Sequence, residues 1–313
     1  MVGLTLITGA GGFVGRTLTQ HLTEVGRPFR VAGRGKILAA VNRIDSHTNW
    51  RPVLSGVENV VHLAARAHIL DKNAREACRQ AEDDVAAVLH LTGAAIAAGV
   101  RRLIFVSSIM VHGRENLSRG RPGTEASPLR PSGFYGWAKA EAEAGLWKLS
   151  RGTALELVVL RPVLMYGPGV KGNLKTLLKL LRLDLPWPLA GVDNRRSFLN
   201  VANFADFIRL SLDHPQAAGQ TFIVTDGEDL STPQLLTGLS RALLGWEPRL
   251  WPCPAVLLRL GGLIVGRQRV GQLMDDFCFD SAKARTLLGW RPPFSSESGF
   301  RAMAADFWVN QRV

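Results

Sequence analysis

The stretch "LTLITGAGGFVGRTLTQHLTEVG" (residues 4–26) decides the fold. A short apolar run leads directly into glycines at 9, 12 and 15, and a helical pattern follows with Gly26 as its stop signal. In a strand-turn-helix setting Gly9 permits the tight turn, Gly12 lets the backbone approach a pyrophosphate, and Gly15 lets the helix lie close to the strand. The helix N-terminus then presents unpaired N–H groups and a partial positive charge to phosphates. The stretch reads as the first strand, loop and helix of a dinucleotide site.

Outward from it, short apolar runs alternate with helical stretches, as a parallel sheet covered by helices requires. The expected strands are 4–8, 29–32, 59–64, 102–108 and 155–162, and "TFIVT" (221–225) returns to the sheet. The expected fold class is therefore α/β, a Rossmann-type doubly wound parallel sheet with a smaller C-terminal substrate-binding lobe. Residues 1–165 and a returning segment at about 198–225 would form the dinucleotide-binding domain; 166–197 and 226–313 would form the lobe. In "LSTPQLL" Ser231 or Thr232 caps a helix with Pro233 in its first turn. In the last stretch Phe300, Met303, Ala304, Phe307 and Trp308 share one apolar helical face.

Bulk composition narrows the class. At 313 residues, 46% hydrophobic and 20% charged, the chain can bury a sizeable core and is a globular enzyme rather than a disordered segment. The run "AVLLRLGGLIVG" (255–266) is interrupted by Arg259 and falls short of the ~18–20 apolar residues that span a bilayer, so it is expected as a core or interface helix, without membrane insertion. No basic leader precedes the first strand, which predicts a cytoplasmic protein. The three cysteines share no metal-ligand spacing and are too few for a disulfide framework. No metal site is expected. A net charge of +12, spread along the chain, suits an anionic small molecule better than nucleic acid.

The second strand ends in "RVAGRGK" (30–36), which places Arg34 about 20 residues beyond Gly15, where this fold distinguishes its dinucleotides. No carboxylate lies between Phe29 and Lys36 to take a ribose 2′-hydroxyl, whereas Arg34 and Lys36 offer charge and donors to a 2′-phosphate. NADP(H) is favoured on that ground, with NAD as the alternative. Tyr135 and Lys139 in "YGWAK" share a helix face, and an ammonium near a phenol is expected to draw its pKa down toward the working range. Ser108 closes the "LIFVSS" strand, at the edge where such sheets collect active sites.

These motifs, with "HLAA" (62–65), "SSIMVHG" (107–113), "RPVLMYGPG" (161–169), "RRSFLNV" (195–201) and "ARTLLGW" (284–290), resemble the extended short-chain dehydrogenase/reductases that act on nucleotide sugars as epimerases, dehydratases or reductases. The resemblance spans nearly the whole chain. It implies that Tyr135 donates or accepts the proton, that Lys139 orders the nicotinamide ribose, and that Ser108 bonds the reacting oxygen. It further implies cofactor contacts from Gly9, Gly12, Phe13, Val14, Gly15, Leu63, Ala64, Ala65 and Pro162, and a substrate diphosphate held by Arg196 and Asn173. His68 is a candidate substrate contact. Ile109 and Met110 stand where dehydratases of this group carry an Asp-Glu pair, which excludes that chemistry. His112 replaces the tyrosine more usual in "VYG" and is read as a packing or supporting residue; Asp84 stands where asparagine is common and has no assigned role.

The expected function is NADPH-dependent reduction of a nucleotide-linked 4-keto sugar, such as a UDP-4-keto-6-deoxy amino sugar, in surface polysaccharide precursor synthesis. The alternative is a UDP-sugar 4-epimerase that keeps its NAD. Reduction of a non-sugar ketone and a non-turnover dinucleotide scaffold or sensor complete the set. The expected partner is the nucleotide sugar, and a homodimer stays open.

Overall fold

The fold comes from a computed structural model that describes residues 3–33, 44–65, 73–113, 120–254, 256–258, 260 and 267–310. Six parallel strands form the central sheet: β1 (Leu4–Thr8), β2 (Phe29–Ala32), β3 (Val57–His62), β4 (Arg102–Val106), β5 (Glu156–Pro162) and, late in the chain, a strand at Gln220–Val224. With that last strand named β8, the spatial order is β2-β1-β3-β4-β5-β8. The order reverses between β1 and β3, and ligands of doubly wound sheets bind at such a switch point, beyond the carboxyl ends of the strands.

Neighbouring residues along each strand face opposite ways, and each strand supplies apolar side chains to both faces. Ile7, Val61, Ile104 and Val158 pack with Leu18 and Leu22 of α1 (Phe13–Glu24) and Phe204, Phe207 and Ile208 of α6 (Val201–Asp213). Leu6, Val60, Leu103 and Leu157 point the other way, onto Val88, Leu91 and Ala95 of α3 (Ala74–Ala97) and Ala142 and Leu146 of α4 (Gly133–Ser150). The short helix α2 (Arg51–Leu54) closes that second face through Val53 and Leu54.

A third core belongs to the smaller part of the molecule. Its sheet joins β6 (Leu164–Tyr166), β7 (Arg196–Asn200) and β9 (Asp229–Leu230), in that order. Around it lie α5 (Gly172–Leu181), α7 (Thr232–Leu244) and the C-terminal helix Ser296–Val309, whose Phe300, Met303, Ala304 and Phe307 are buried. Trp308 departs from the expected face. It is 36% exposed, and its indole N–H donates to the Leu243 carbonyl at 3.1 Å. The cap of α7 is Ser231, which accepts from the Gln234 N–H while the Gln234 side chain accepts from the Ser231 N–H, a reciprocal capping box. Within the run at 255–266, Leu258 packs against this third core as expected of a core or interface helix, whereas Val256, Leu257 and Leu260 stand exposed.

Candidate active site

The glycine loop closes on the switch point. Gly9 has φ +75° and lies so close to β3's continuation that a Cβ there would meet the Ala64 nitrogen at 2.8 Å. Leu63 N–H donates to the Thr8 carbonyl at 3.2 Å, and Thr8 Oγ1 bonds His62 Nδ1 at 2.9 Å, so the ends of β1 and β3 are tied together. A Cβ on Gly15 would sit 2.3 Å from the Gly9 carbonyl oxygen. The start of α1 is therefore pressed against the loop by two absent side chains. Gly12 is the N-cap residue and has no side chain to cap the helix, which leaves the first-turn N–H groups for an anion. This cradle fits a dinucleotide pyrophosphate. Phe13 lies beside it, with its ring edge 3.8 Å from the position a Gly169 Cβ would take. Val14 and Leu63 are half-buried at the cradle, Ala64 and Ala65 line the adjoining cleft, and Pro162 is buried at the end of β5. Arg34, Lys36 and His68 lie outside the described residues.

Beyond β4 the chain makes one 3-10 turn, Ile109–Val111, capped by Ser108 Oγ accepting from the Met110 N–H at 3.2 Å. That turn packs against the start of α4. Ser132 N–H donates to the Met110 carbonyl at 3.1 Å, and Gly136 has no Cβ because one would strike that carbonyl at 2.7 Å. The close approach brings Tyr135 beside Ser108, whose hydroxyl bonds the phenol. One turn further along α4, Lys139 is 7% exposed and its Nζ donates to the Val106 carbonyl at 2.7 Å, 4.6 Å from the Phe105 ring centroid and 5.9 Å from that of Tyr135. The structure thus brings together all three residues predicted for catalysis.

The electrostatics correct one expectation. Tyr135 is held above the ordinary tyrosine range, not below it. Burial is the main cause, and Asp84 adds to it, whereas the Ser108 hydrogen bond opposes both. The Lys139 charge goes to the Val106 carbonyl instead of the phenol oxygen, and burial pulls its own pKa down to about 8 against the pull of Asp84 and Glu143. Asp84 is the residue whose place had no explanation in the sequence. It reaches the cleft from α3, which packs so tightly on α4 that a Cβ on Gly145 would meet Leu89 at 2.6 Å, and it lines the cleft with His62, Phe105, Tyr135 and Lys139. His62 is fully buried, is stacked on Phe105, and is neutral: burial, with the Lys139 charge, pulls its pKa to about 3.

Behind Ser108 lies a buried polar cluster that sequence reading missed. Glu143 receives Arg161 through Nε at 3.0 Å and Nη2 at 2.5 Å, and accepts the Ser107 hydroxyl as well. Arg161 Nη1 donates to His112 Nε2 at 3.1 Å. With Nε2 accepting, the ring carries its proton on Nδ1, which donates to the Pro128 carbonyl at 3.3 Å. His112 is held below its ordinary pKa, first by burial and then by the Arg161 charge, so it is a neutral spacer in this cluster. The apolar pair Ile109 and Met110 packs on the sheet core and supplies no acid to the site.

In the smaller sheet, Arg196 opens β7. It is buried, with its guanidinium 5.8 Å from the Phe277 ring centroid. Asn173 is exposed in the first turn of α5. Among the described residues no group of His, Cys, Asp and Glu is placed to hold a metal ion.

The NAD dependent epimerase/dehydratase family matches residues 5–225. The chain is 35% identical over 314 aligned residues to a UDP-glucose 4-epimerase of Vibrio cholerae, covering 96% of this chain and 94% of that protein. It is 26% identical to the N-acetyl-alpha-D-glucosaminyl-diphospho-ditrans,octacis-undecaprenol 4-epimerase of Escherichia coli O157:H7, over 76% of this chain and 72% of that one. Among solved structures, the UDP-glucose 4-epimerase of Thermotoga maritima with UDP-glucose superposes with a TM-score of 0.76 over 98% of this chain and 99% of that one, at 24% identity. That last likeness speaks for the fold; the family match and the Vibrio relative speak for descent. With its glycine cradle, Ser108, Tyr135 and Lys139 in place, the chain belongs to the NAD dependent epimerase/dehydratase family.

Proposed function

We propose that the protein is a 4-epimerase of a UDP-hexose that retains its NAD. The observation that carries the reading is the Ser108–Tyr135 hydroxyl pair, set at the carboxyl end of β4 without a neighbouring carboxylate at 109 or 110. Such a site has one proton relay and serves one carbon-oxygen bond, which suits inversion at a single carbinol centre. Likeness to the Vibrio epimerase along 96% of the chain favours inversion over net reduction.

When bound, the dinucleotide supplies the hydride acceptor and, in its oxidised form, a positive charge to a cleft now holding one ammonium. With that positive charge favouring its phenolate, Tyr135 would take the proton of the sugar 4-hydroxyl as C4 gives up hydride, and would return it to the ketone oxygen as hydride comes back to the other face of the turned sugar. Ser108 donates to that oxygen as negative charge develops on it, an interaction typically worth ~10²–10³ in rate. Lys139, anchored on the Val106 carbonyl one helical turn along from Tyr135, would hold the nicotinamide ribose. Arg196 and Asn173 hold the diphosphate, for which a guanidinium's paired donors are suited.

Two measurements on the purified protein test the reading. Denaturation should release NAD⁺ in near equal amount to protein, and NMR should follow UDP-glucose converting to UDP-galactose without loss of added NADPH absorbance. Stoichiometric NADPH consumption with a UDP-4-keto sugar would instead select the reductase, the second reading, which Arg34 and Lys36 favour. No turnover in either measurement, with dinucleotide binding unchanged in Tyr135→Phe, would select the non-turnover sensor.

A further inference from the structure

We propose that one face of the smaller lobe docks peripherally on an anionic lipid bilayer. The face begins at α5, where Lys171 at the N-cap and Lys175 and Lys179 within the helix recur every fourth residue, all exposed. Residues 170–183 contain no Asp or Glu. Where α5 ends, the chain continues through Leu183 and Leu185, which are 55% and 53% exposed. That segment is stitched to residues 249–251: Trp187 N–H donates to the Arg249 carbonyl at 2.8 Å and Trp251 N–H to the Trp187 carbonyl at 3.0 Å. Trp251 is therefore beside the exposed leucines and is itself 47% exposed. After Pro254 the chain turns helical, with Leu257 N–H donating to the Pro254 carbonyl at 2.9 Å, and it presents Val256, Leu257 and Leu260 at 68%, 56% and 54% exposure.

Single exposed apolar residues need no explanation, but a run of them bordering exposed lysines does. Leucine and valine side chains enter the headgroup boundary, tryptophan lies at that boundary, and lysine stems reach up to the anionic headgroups. Asp184, the carboxylate within the segment, is occupied by Arg249 at 3.2 Å and by the Trp246 indole N–H at 3.5 Å. Charge complementarity selects the occupant: a bilayer rich in phosphatidylglycerol neutralises the lysines, whereas the same face of a second copy brings the same cations to it. Among the described residues no helix is long and apolar enough to cross a membrane, so the contact is superficial.

Sedimentation of the full chain with vesicles provides the test. The chain should pellet with phosphatidylcholine vesicles that contain phosphatidylglycerol, stay in the supernatant with phosphatidylcholine alone, and be released by salt. Replacing Lys171, Lys175 and Lys179 together by Gln should weaken binding on the order of 100-fold. Leu257→Glu should also weaken it, with circular dichroism unchanged. No pelleting at low salt, or binding equal in wild type and both variants, overturns the proposal. So does a solution dimer that Leu257→Glu dissociates, since that assigns the face to a second copy.

Discussion

The Lys139 ammonium donates to the Val106 carbonyl at 2.7 Å, from beneath Tyr135 and at the end of the strand that leads to Ser108. A carbonyl acceptor costs the lysine none of its charge, so the ammonium is held in place rather than neutralised. Burial nevertheless brings its pKa to about 8, and Asp84 and Glu143 keep it from falling further. Above that pH the cleft loses its cation. kcat/KM should therefore decline as pH rises through about 8. In Asp84→Asn the carboxylate that favours the protonated amine is gone, so the alkaline limb should move to lower pH. Removing the same charge also lowers Tyr135, whose pKa Asp84 raises. A profile of Asp84→Asn superimposable on wild type would show that neither group limits the reaction.

Tyr135 and Ser108 should fail differently. Tyr135→Phe removes the proton carrier and should cost ~10²–10⁴ in kcat, with the cofactor still bound. Ser108→Ala removes one donor to the reacting oxygen, and should cost ~10²–10³ in kcat with little change in KM. The serine also caps the 3-10 turn after β4 through the Met110 N–H, so its loss should raise amide exchange there. Steady-state kinetics on both variants, with hydrogen exchange on the second, check the split.

Glu143 and Arg161 are buried to within a few per cent and pair through two nitrogens. Removing one partner leaves the other charge buried without compensation, so Glu143→Ala should lower stability by ~3–5 kcal/mol. Replacing both by apolar residues, as in Glu143→Leu with Arg161→Met, should recover part of that loss. The double variant still strands the Ser107 hydroxyl and His112 Nε2, so recovery should be incomplete. Denaturant midpoints of Glu143→Leu, Arg161→Met and the double variant give the coupling energy, and a value near zero would mean the pair does not act as a unit.

Much of this architecture was legible because strand residues repeat locally. The runs at 4–8 and 29–32 form strands with those bounds, and 102–108 and 155–162 shift only at their ends, because buried parallel strands read as continuous apolar runs between turn residues. Tyr135 and Lys139 were legible because four residues make one helical turn. Asp84 was not: it meets Lys139 only after α3 packs across α4, a relation no local pattern encodes. The Glu143–Arg161 pair likewise joins a helix to a strand, and each residue alone resembles a solvated charge. The tyrosine pKa was misjudged because spacing puts an ammonium near a phenol but does not say which oxygen the ammonium faces. Exposure of Val256, Leu257 and Leu260 escaped for a related reason, since composition marks a residue as apolar without saying whether anything covers it.

Gly15 offers the sharpest test of the cradle. A Cβ at this position would sit 2.3 Å from the Gly9 carbonyl oxygen and 2.6 Å from the Ala10 Cα, and both are backbone atoms that cannot rotate away. Gly15→Ala must therefore push α1 off the loop and turn its first N–H groups from the pyrophosphate they would hold. Ala is a better helix former than Gly by ~1 kcal/mol, so the helix itself should gain while the cofactor is lost. The expected result is protein that keeps its helical circular dichroism yet purifies without bound dinucleotide, and titration with NAD or NADP should give at least ~100-fold weaker binding than wild type. Gly11 is the control, because nothing lies within 4 Å of a Cβ built there. Equal dinucleotide affinity in Gly15→Ala and Gly11→Ala would remove the cradle from the cofactor site.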